Sequence, residues 1–145
     1  MQHKMSEGTH SLSYANTGTG DTIVLIHGFG EDNRIWNHQV AFLQNNYHLL
    51  IPNLPGTGQS AIGNSELSVE SMATGIKQML DEEKIGQCIM LGHSMGGKAA
   101  MQLALTQGHL LRRLGRRWSS GSRWSARAAT WRRSAVRSCA RARSR

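Results

Sequence analysis

Ile89-Met90-Leu91-Gly92-His93-Ser94-Met95-Gly96-Gly97-Lys98-Ala99-Ala100 is the stretch that decides the fold. An apolar run ends at a glycine, a serine sits in the turn, and an alanine-rich amphipathic segment follows. That order reads as strand, sharp turn, helix. Gly92 to Gly96 satisfies G-x-S-x-G, a turn so tight that its flanking positions cannot carry a Cβ. Such a turn lifts the Ser94 hydroxyl off the sheet edge and sets it at a helix N-terminus. Free N–H groups and the helix dipole there favour a developing negative charge. The pattern by itself recurs by chance, and its bland reading is a glycine-rich turn with an incidental serine. The strand signal before it and the helix signal after it weigh against that. Gly92 to Lys98 also meets the first seven positions of the phosphate-cradling G-x-x-x-x-G-K-[ST] loop. Ala99 stands where the Mg²⁺-binding hydroxyl belongs, so no nucleotide cofactor is expected, and no metal site either.

Upstream, Thr22-Ile23-Val24-Leu25-Ile26 is a continuous β-branched and aliphatic run, the pattern of a strand buried on both faces. It runs into His27-Gly28-Phe29-Gly30, where glycines let backbone N–H groups face a ligand. Its bland reading is a flexible loop, which loses weight beside the downstream turn. The sequence predicts strands near 11–16, 22–26, 47–52 and 87–91, and helices near 34–45, 68–84 and 95–107. Ser68 is the expected cap of the second helix, and Gly86 its expected stop. Strand and helix alternate, which implies a parallel sheet with chemistry at the carboxyl ends of its strands. His27, Asn53 and Ser94 all follow strand ends and so fall on one rim.

Charge divides the chain. Residues 1–111 carry five lysines and arginines against nine acids, whereas residues 112–145 carry twelve arginines and no acid. The overall charge of +8 therefore describes neither part, and a global reading as a nucleic-acid binder fails. Cys88 and Cys139 lie far apart and form no disulfide framework. No apolar leader or run of membrane-spanning length is present, so a soluble cytoplasmic protein without membrane partners is expected.

Val24-Leu25-Ile26-His27-Gly28-Phe29-Gly30, Asn53-Leu54-Pro55-Gly56-Thr57-Gly58-Gln59-Ser60 and Gly92-His93-Ser94-Met95-Gly96-Gly97 together resemble the α/β-hydrolase superfamily. The likeness is to its single-domain esterase, peroxidase-like and carbon–carbon hydrolase branch. It covers residues 10 to about 107. The resemblance implies the N-terminal part of a doubly wound, mostly parallel α/β sheet. It also implies Ser94 as nucleophile, backbone N–H groups of Phe29 and Met95 as oxyanion donors, and a small-molecule ester or related acyl (or C–C) substrate. His27, Gly28, Gly92, His93 and Gly96 support the motifs, with His93 expected to point away from the nucleophile. Asn53 stands where the family usually has aspartate, a structural position.

A serine hydroxyl needs a histidine to take its proton and an acid to orient that histidine. The superfamily supplies them after the serine, in the order acid then histidine. Here no Asp or Glu follows Ser94, and the only later histidine is His109. About fifteen residues of helix would put it ~20 Å away. The sequence thus assigns neither triad acid nor triad base, and an inactive or nearly inactive chain is expected. Residues 108–145 are expected to form a disordered basic tail, behind a partial domain over 10–107. Packed structure should end near residue 112, leaving Ile89-Met90-Leu91 on an open sheet edge. With seven Ser, six Ala and three Trp among residues 112–145, no apolar period survives there. That composition reads as out-of-frame translation of a GC-rich coding sequence. The rival reading is a selected arm binding nucleic acid or another polyanion through arginines and Trp118, Trp124 and Trp131.

Overall fold

The computed structural model describes residues 1–62 and 67–117. Among these residues six strands form one sheet: β1 (Gln2–Met5), β2 (Ser13–Thr17), β3 (Thr22–Ile26), β4 (His48–Pro52), β5 (Cys88–His93) and β6 (Leu111–Arg117). Three α-helices connect them: α1 (Asn37–Leu43), α2 (Val69–Glu82) and α3 (Met95–Thr106). The strand order is β1-β2-β4-β3-β5-β6. β4, β3, β5 and β6 run parallel, while at one edge β2 pairs antiparallel with β4 and β1 antiparallel with β2. The sheet is mixed and doubly wound.

The alternation along β3 explains the layering. Ile23 and Leu25 pack with Trp36 and Val40 beneath α1, together with Leu49 and Ile51 of β4. Val24 and Ile26 point the other way, onto Met72, Ile76, Met79 and Leu80 of α2 and Ala99, Ala100 and Leu103 of α3. Every β3 residue is buried, as expected of a strand covered on both faces. The chain leaves β3 over one face and reaches β5 over the other. The carboxyl ends of β3 and β5 therefore flank the point where the winding reverses.

The helix ends are built from local chemistry. Ser68 and Ser71 form a reciprocal capping box at the start of α2, so the expected cap is present. Gly86 is not the stop. Lys84 takes a left-handed φ of 55° instead. Ile85 N–H then bonds to Leu80 O at 2.9 Å and Lys84 N–H to Asp81 O at 3.0 Å, a Schellman closure. The helix expected near 34–45 is split into a 3-10 turn, Asn33–Trp36, and α1. Asp32 caps the turn by accepting from Arg34 N–H.

Two edges differ from expectation. β1 is fully exposed and polar, so no alternation announces it; it is held by its ladder to β2 and by Lys4 on Glu83 at 2.7 Å. Glu83 also accepts from Tyr14 and Asn16, tying the end of α2 to the antiparallel edge. At the other side β5 is not an edge, and residues 108–117 are not the beginning of an unstructured tail. A 3-10 turn, Gly108–Leu110, leads into β6, which pairs with β5 from Cys88↔Leu111 to His93↔Arg117. Ladder bonds use main-chain groups, so an arginine-rich strand satisfies β5 as well as an apolar one would. Leu110 is buried against the core and Arg112 pairs with Asp21 at 2.7 Å. The expectations for residues 118–145 lie outside the described residues. Among the described residues no helix is long and apolar enough to cross a membrane.

Candidate active site

β3 and β5 end side by side, with Ile26 opposite Gly92. Ser94 follows immediately with φ 48° and ψ −112°. For a residue with a side chain that conformation costs ~1–3 kcal/mol, and it persists only where neighbours impose it. The flanking glycines show how. A Cβ on Gly92 would lie 2.5 Å from the Gly96 carbonyl and the Gly97 nitrogen. A Cβ on Gly96 would lie 2.4 Å from His27 O and 2.5 Å from Ile26 O. The turn closes on itself at Gly92, and α3 sits directly on the end of β3 at Gly96. Ser94 O accepts from Gly97 N–H at 3.0 Å and starts α3. Its side chain makes no cap hydrogen bond and is exposed. Met95 N–H, the first helical amide, has no intrahelical acceptor.

The loop after β3 is held by its own histidine. His27 is completely buried. Leu54 N–H, which can only donate, lies 2.8 Å from Nε2, so Nε2 is the unprotonated nitrogen. Nδ1–H accordingly donates to Gly28 O, at 2.8 Å. Burial disfavours the imidazolium and holds the His27 pKa below its ordinary value, although the Gly28 bond pulls the other way. The consequence falls on Phe29. Gly28 C=O and Phe29 N–H belong to one planar trans peptide and point in opposite directions. A ring that pins the carbonyl also orients the N–H. His27 is therefore committed to positioning this loop, and its Nε2 lone pair is already taken. The Phe29 side chain stands in solvent, 79% exposed.

One residue the sequence reading passed over belongs to this rim. Glu31 Oε2 accepts from Gly28 N–H at 2.7 Å and from His93 Nδ1 at 2.9 Å. Burial raises the Glu31 pKa, but these two bonds outweigh it and leave the carboxyl below its ordinary value. An acid three residues after a loop glycine, with a histidine beside the serine, was the available signal. Asn53 is a structural hub: Oδ1 accepts from Asn33 N–H at 2.9 Å, and Nδ2 donates to Ser13 Oγ at 2.9 Å. An aspartate there would reverse the second bond, accepting from the Ser13 hydroxyl.

His27, Gly28, Phe29, Gly92, His93, Ser94, Met95 and Gly96 thus meet at the ends of two adjacent strands. His109 does not join them. It lies exposed in the 3-10 turn beyond α3, whose twelve residues separate it from Ser94 by ~18 Å. Among the described residues no group of three His, Cys, Asp or Glu side chains could hold a metal.

Residues 21–114 match the family model described as alpha/beta hydrolase fold. The chain belongs to the α/β-hydrolase family. Among curated relatives of this hydrolase-family chain is the pimeloyl-[acyl-carrier protein] methyl ester esterase of Aeromonas hydrophila. It is 37% identical over 97 residues, which span 66% of this chain and 37% of the relative. Est816, a solved structure described as an N-acyl homoserine lactone degrading enzyme, is 28% identical. It superposes with a TM-score of 0.72 over 77% of this chain and 43% of its own. The epoxide hydrolase CorEH shares the fold, with a TM-score of 0.75 and 21% identity over 89% of this chain and 48% of its own. The chain thus spans less than half the length of each of these proteins.

Proposed function

We propose that this rim is the nucleophile half of a serine ester-cleaving site. Ser94 Oγ is the atom that attacks an acyl carbon, and the N–H groups of Phe29 and Met95 receive the oxyanion. The observation that carries this reading is the Ser94 backbone, held at φ 48° between two glycines where an added Cβ would meet backbone atoms at 2.5 Å or less. Strain of this kind presents a hydroxyl outward for reaction. The methyl ester esterase among the relatives supports an ester or similar small acyl substrate.

The reading assigns no residue of this sequence to the other half of the chemistry. No Asp or Glu follows Ser94, and His27 and His109 are ruled out by their bonds and their distance. The chain as it stands is at best a trace esterase. Losing base and acid costs ~10⁴–10⁶ in turnover, while an oxyanion hole retains ~10³–10⁴ over water. Slow hydrolysis of a p-nitrophenyl ester, absent for alkyl esters and abolished by Ser94→Ala, is the expected result. Turnover unchanged by Ser94→Ala would remove Ser94 from the mechanism. Fast turnover abolished by it would reveal a base that the reading lacks. A second reading rests on the twelve arginines and three tryptophans of residues 112–145, which suit a polyanion. It requires salt-dependent oligonucleotide binding that disappears when those residues are deleted.

A further inference from the structure

We propose that Glu31 is a positioning residue that straps the oxyanion loop to the serine turn, one carboxylate oxygen bridging Gly28 N–H and His93 Nδ1. The proposal rests on the reading of Ser94 and Phe29 given above and extends it to what holds the two in register.

Three observations carry it. Both bonds end on the same atom, Oε2, at 2.7 Å from the Gly28 nitrogen and 2.9 Å from His93 Nδ1. His93 directly precedes Ser94, and Gly28 directly precedes Phe29, so the bridge joins the neighbours of the nucleophile and of one oxyanion donor. The approach is also close enough to require glycine. A Cβ on Gly28 would stand 2.8 Å from Oε2, 3.0 Å from His93 Nδ1 and 3.3 Å from His93 O. Gly28 is then fixed at both ends, its carbonyl by His27 and its N–H by Glu31. No freedom remains for the Gly28–Phe29 peptide to turn over, and a turned peptide would aim a carbonyl at the oxyanion. Glu31 and His93 are each about a quarter to a third exposed, so the strap is reinforced by its geometry more than by charge in a dry environment.

That geometry makes a discriminating series possible. Glutamine keeps a carbonyl oxygen with two lone pairs and can accept from both partners without charge. Methionine keeps the length and removes the acceptor. The probe is phenylboronic acid: boron bonds to Ser94 Oγ, the hydroxyl proton passes to buffer, and the tetrahedral anion presents an oxygen to the Phe29 and Met95 amides. Adduct formation is read by ¹¹B NMR and the strap by the Gly28 amide resonance, both in the full chain. Glu31→Met should weaken the adduct ~10-fold or more, the scale of losing a charge-assisted bond, and shift the Gly28 amide strongly upfield. Glu31→Gln should stay within ~3-fold of the parent and move that amide little. Should Glu31→Met fail to fold, His93→Leu cuts the strap from the other side and should weaken the adduct similarly. Equal loss in the Gln and Met variants, or no loss in Met with an unmoved Gly28 amide, overturns the strap. If the parent forms no adduct that Ser94→Ala abolishes, the nucleophile reading fails instead. The Gly28 amide still decides the strap in that case.

Discussion

Replacing Gly96 with alanine tests how tightly the serine turn is seated on the sheet. The new methyl would lie 2.4 Å from His27 O and 2.5 Å from Ile26 O, both backbone atoms at the end of the central strand. Ordinary contact begins near 3.4 Å, so α3 and β3 must separate by about 1 Å. Neither side yields cheaply. β3 is paired on both sides, and α3 carries Ala99, Ala100 and Leu103, all at most 1% exposed, into the core. Overpacking costs ~1–3 kcal/mol where side chains can adjust, and backbone against backbone belongs at or above the upper end. A loss of ~3 kcal/mol or more is therefore expected, a large share of the ~5–15 kcal/mol available to a domain. Urea denaturation followed by circular dichroism measures it. Gly86→Ala is the matched control, because nothing lies within 4 Å of its added methyl. Losing glycine's freedom in the unfolded chain should make that variant ~0.4–1 kcal/mol more stable. A Gly96→Ala protein within ~0.5 kcal/mol of the parent would refute the close seating of α3, since only an indifferent surface site behaves so.

Further expectations follow from other residues. Lys84→Gly should raise stability by ~0.5–1 kcal/mol, because glycine adopts the left-handed C-terminal conformation without a Cβ penalty; an unchanged urea midpoint would contradict the Schellman closure. Burial holds His27 and His48 below their ordinary value near 6.5. The unfolded chain therefore binds protons first as pH falls, so their contribution is whole above about 6.5 and lost as pH drops through the folded values. The urea midpoint should fall between about pH 7 and 5, and His27→Asn should shrink that slope; an unchanged slope would mean His27 is solvated. Burial pushes the Cys88 thiol up to about 12, so alkylation at mild alkaline pH, mapped by mass spectrometry, should spare Cys88 until urea unfolds the chain.

The central elements were legible because they announce themselves locally. Thr22–Ile26 reads as a strand, since a short β-branched and aliphatic run is the pattern of a strand covered on both faces. Gly92 and Gly96 around Ser94 mark a turn that other residues cannot make. Ser68 before an apolar stripe marks a helix start, and Val69–Glu82 begins where it says. Each of these signals is a property of a few neighbouring residues.

What escaped the sequence is what neighbours in space decide. β1 and β6 have no apolar period, and they are strands because β2 and β5 present unpaired main-chain groups for them to complete. Lys84, not the nearby Gly86, ends α2 because the Leu80 and Asp81 carbonyls needed partners at that turn. His27 could be read from its motif as a rim histidine with a free ring. Only the arrival of Leu54 N–H, 27 residues later, shows that its lone pair is spent. Glu31 and His93 are 62 residues apart, and a loop acid and a histidine beside the serine become hydrogen-bond partners only because β3 and β5 end side by side. The sequence by itself determined the strand that ends at Gly92, the glycine turn that carries Ser94 and the helix that follows it. The tertiary structure decided which groups hold that turn in place, because hydrogen bonds between distant segments depend on distances that local pattern does not encode.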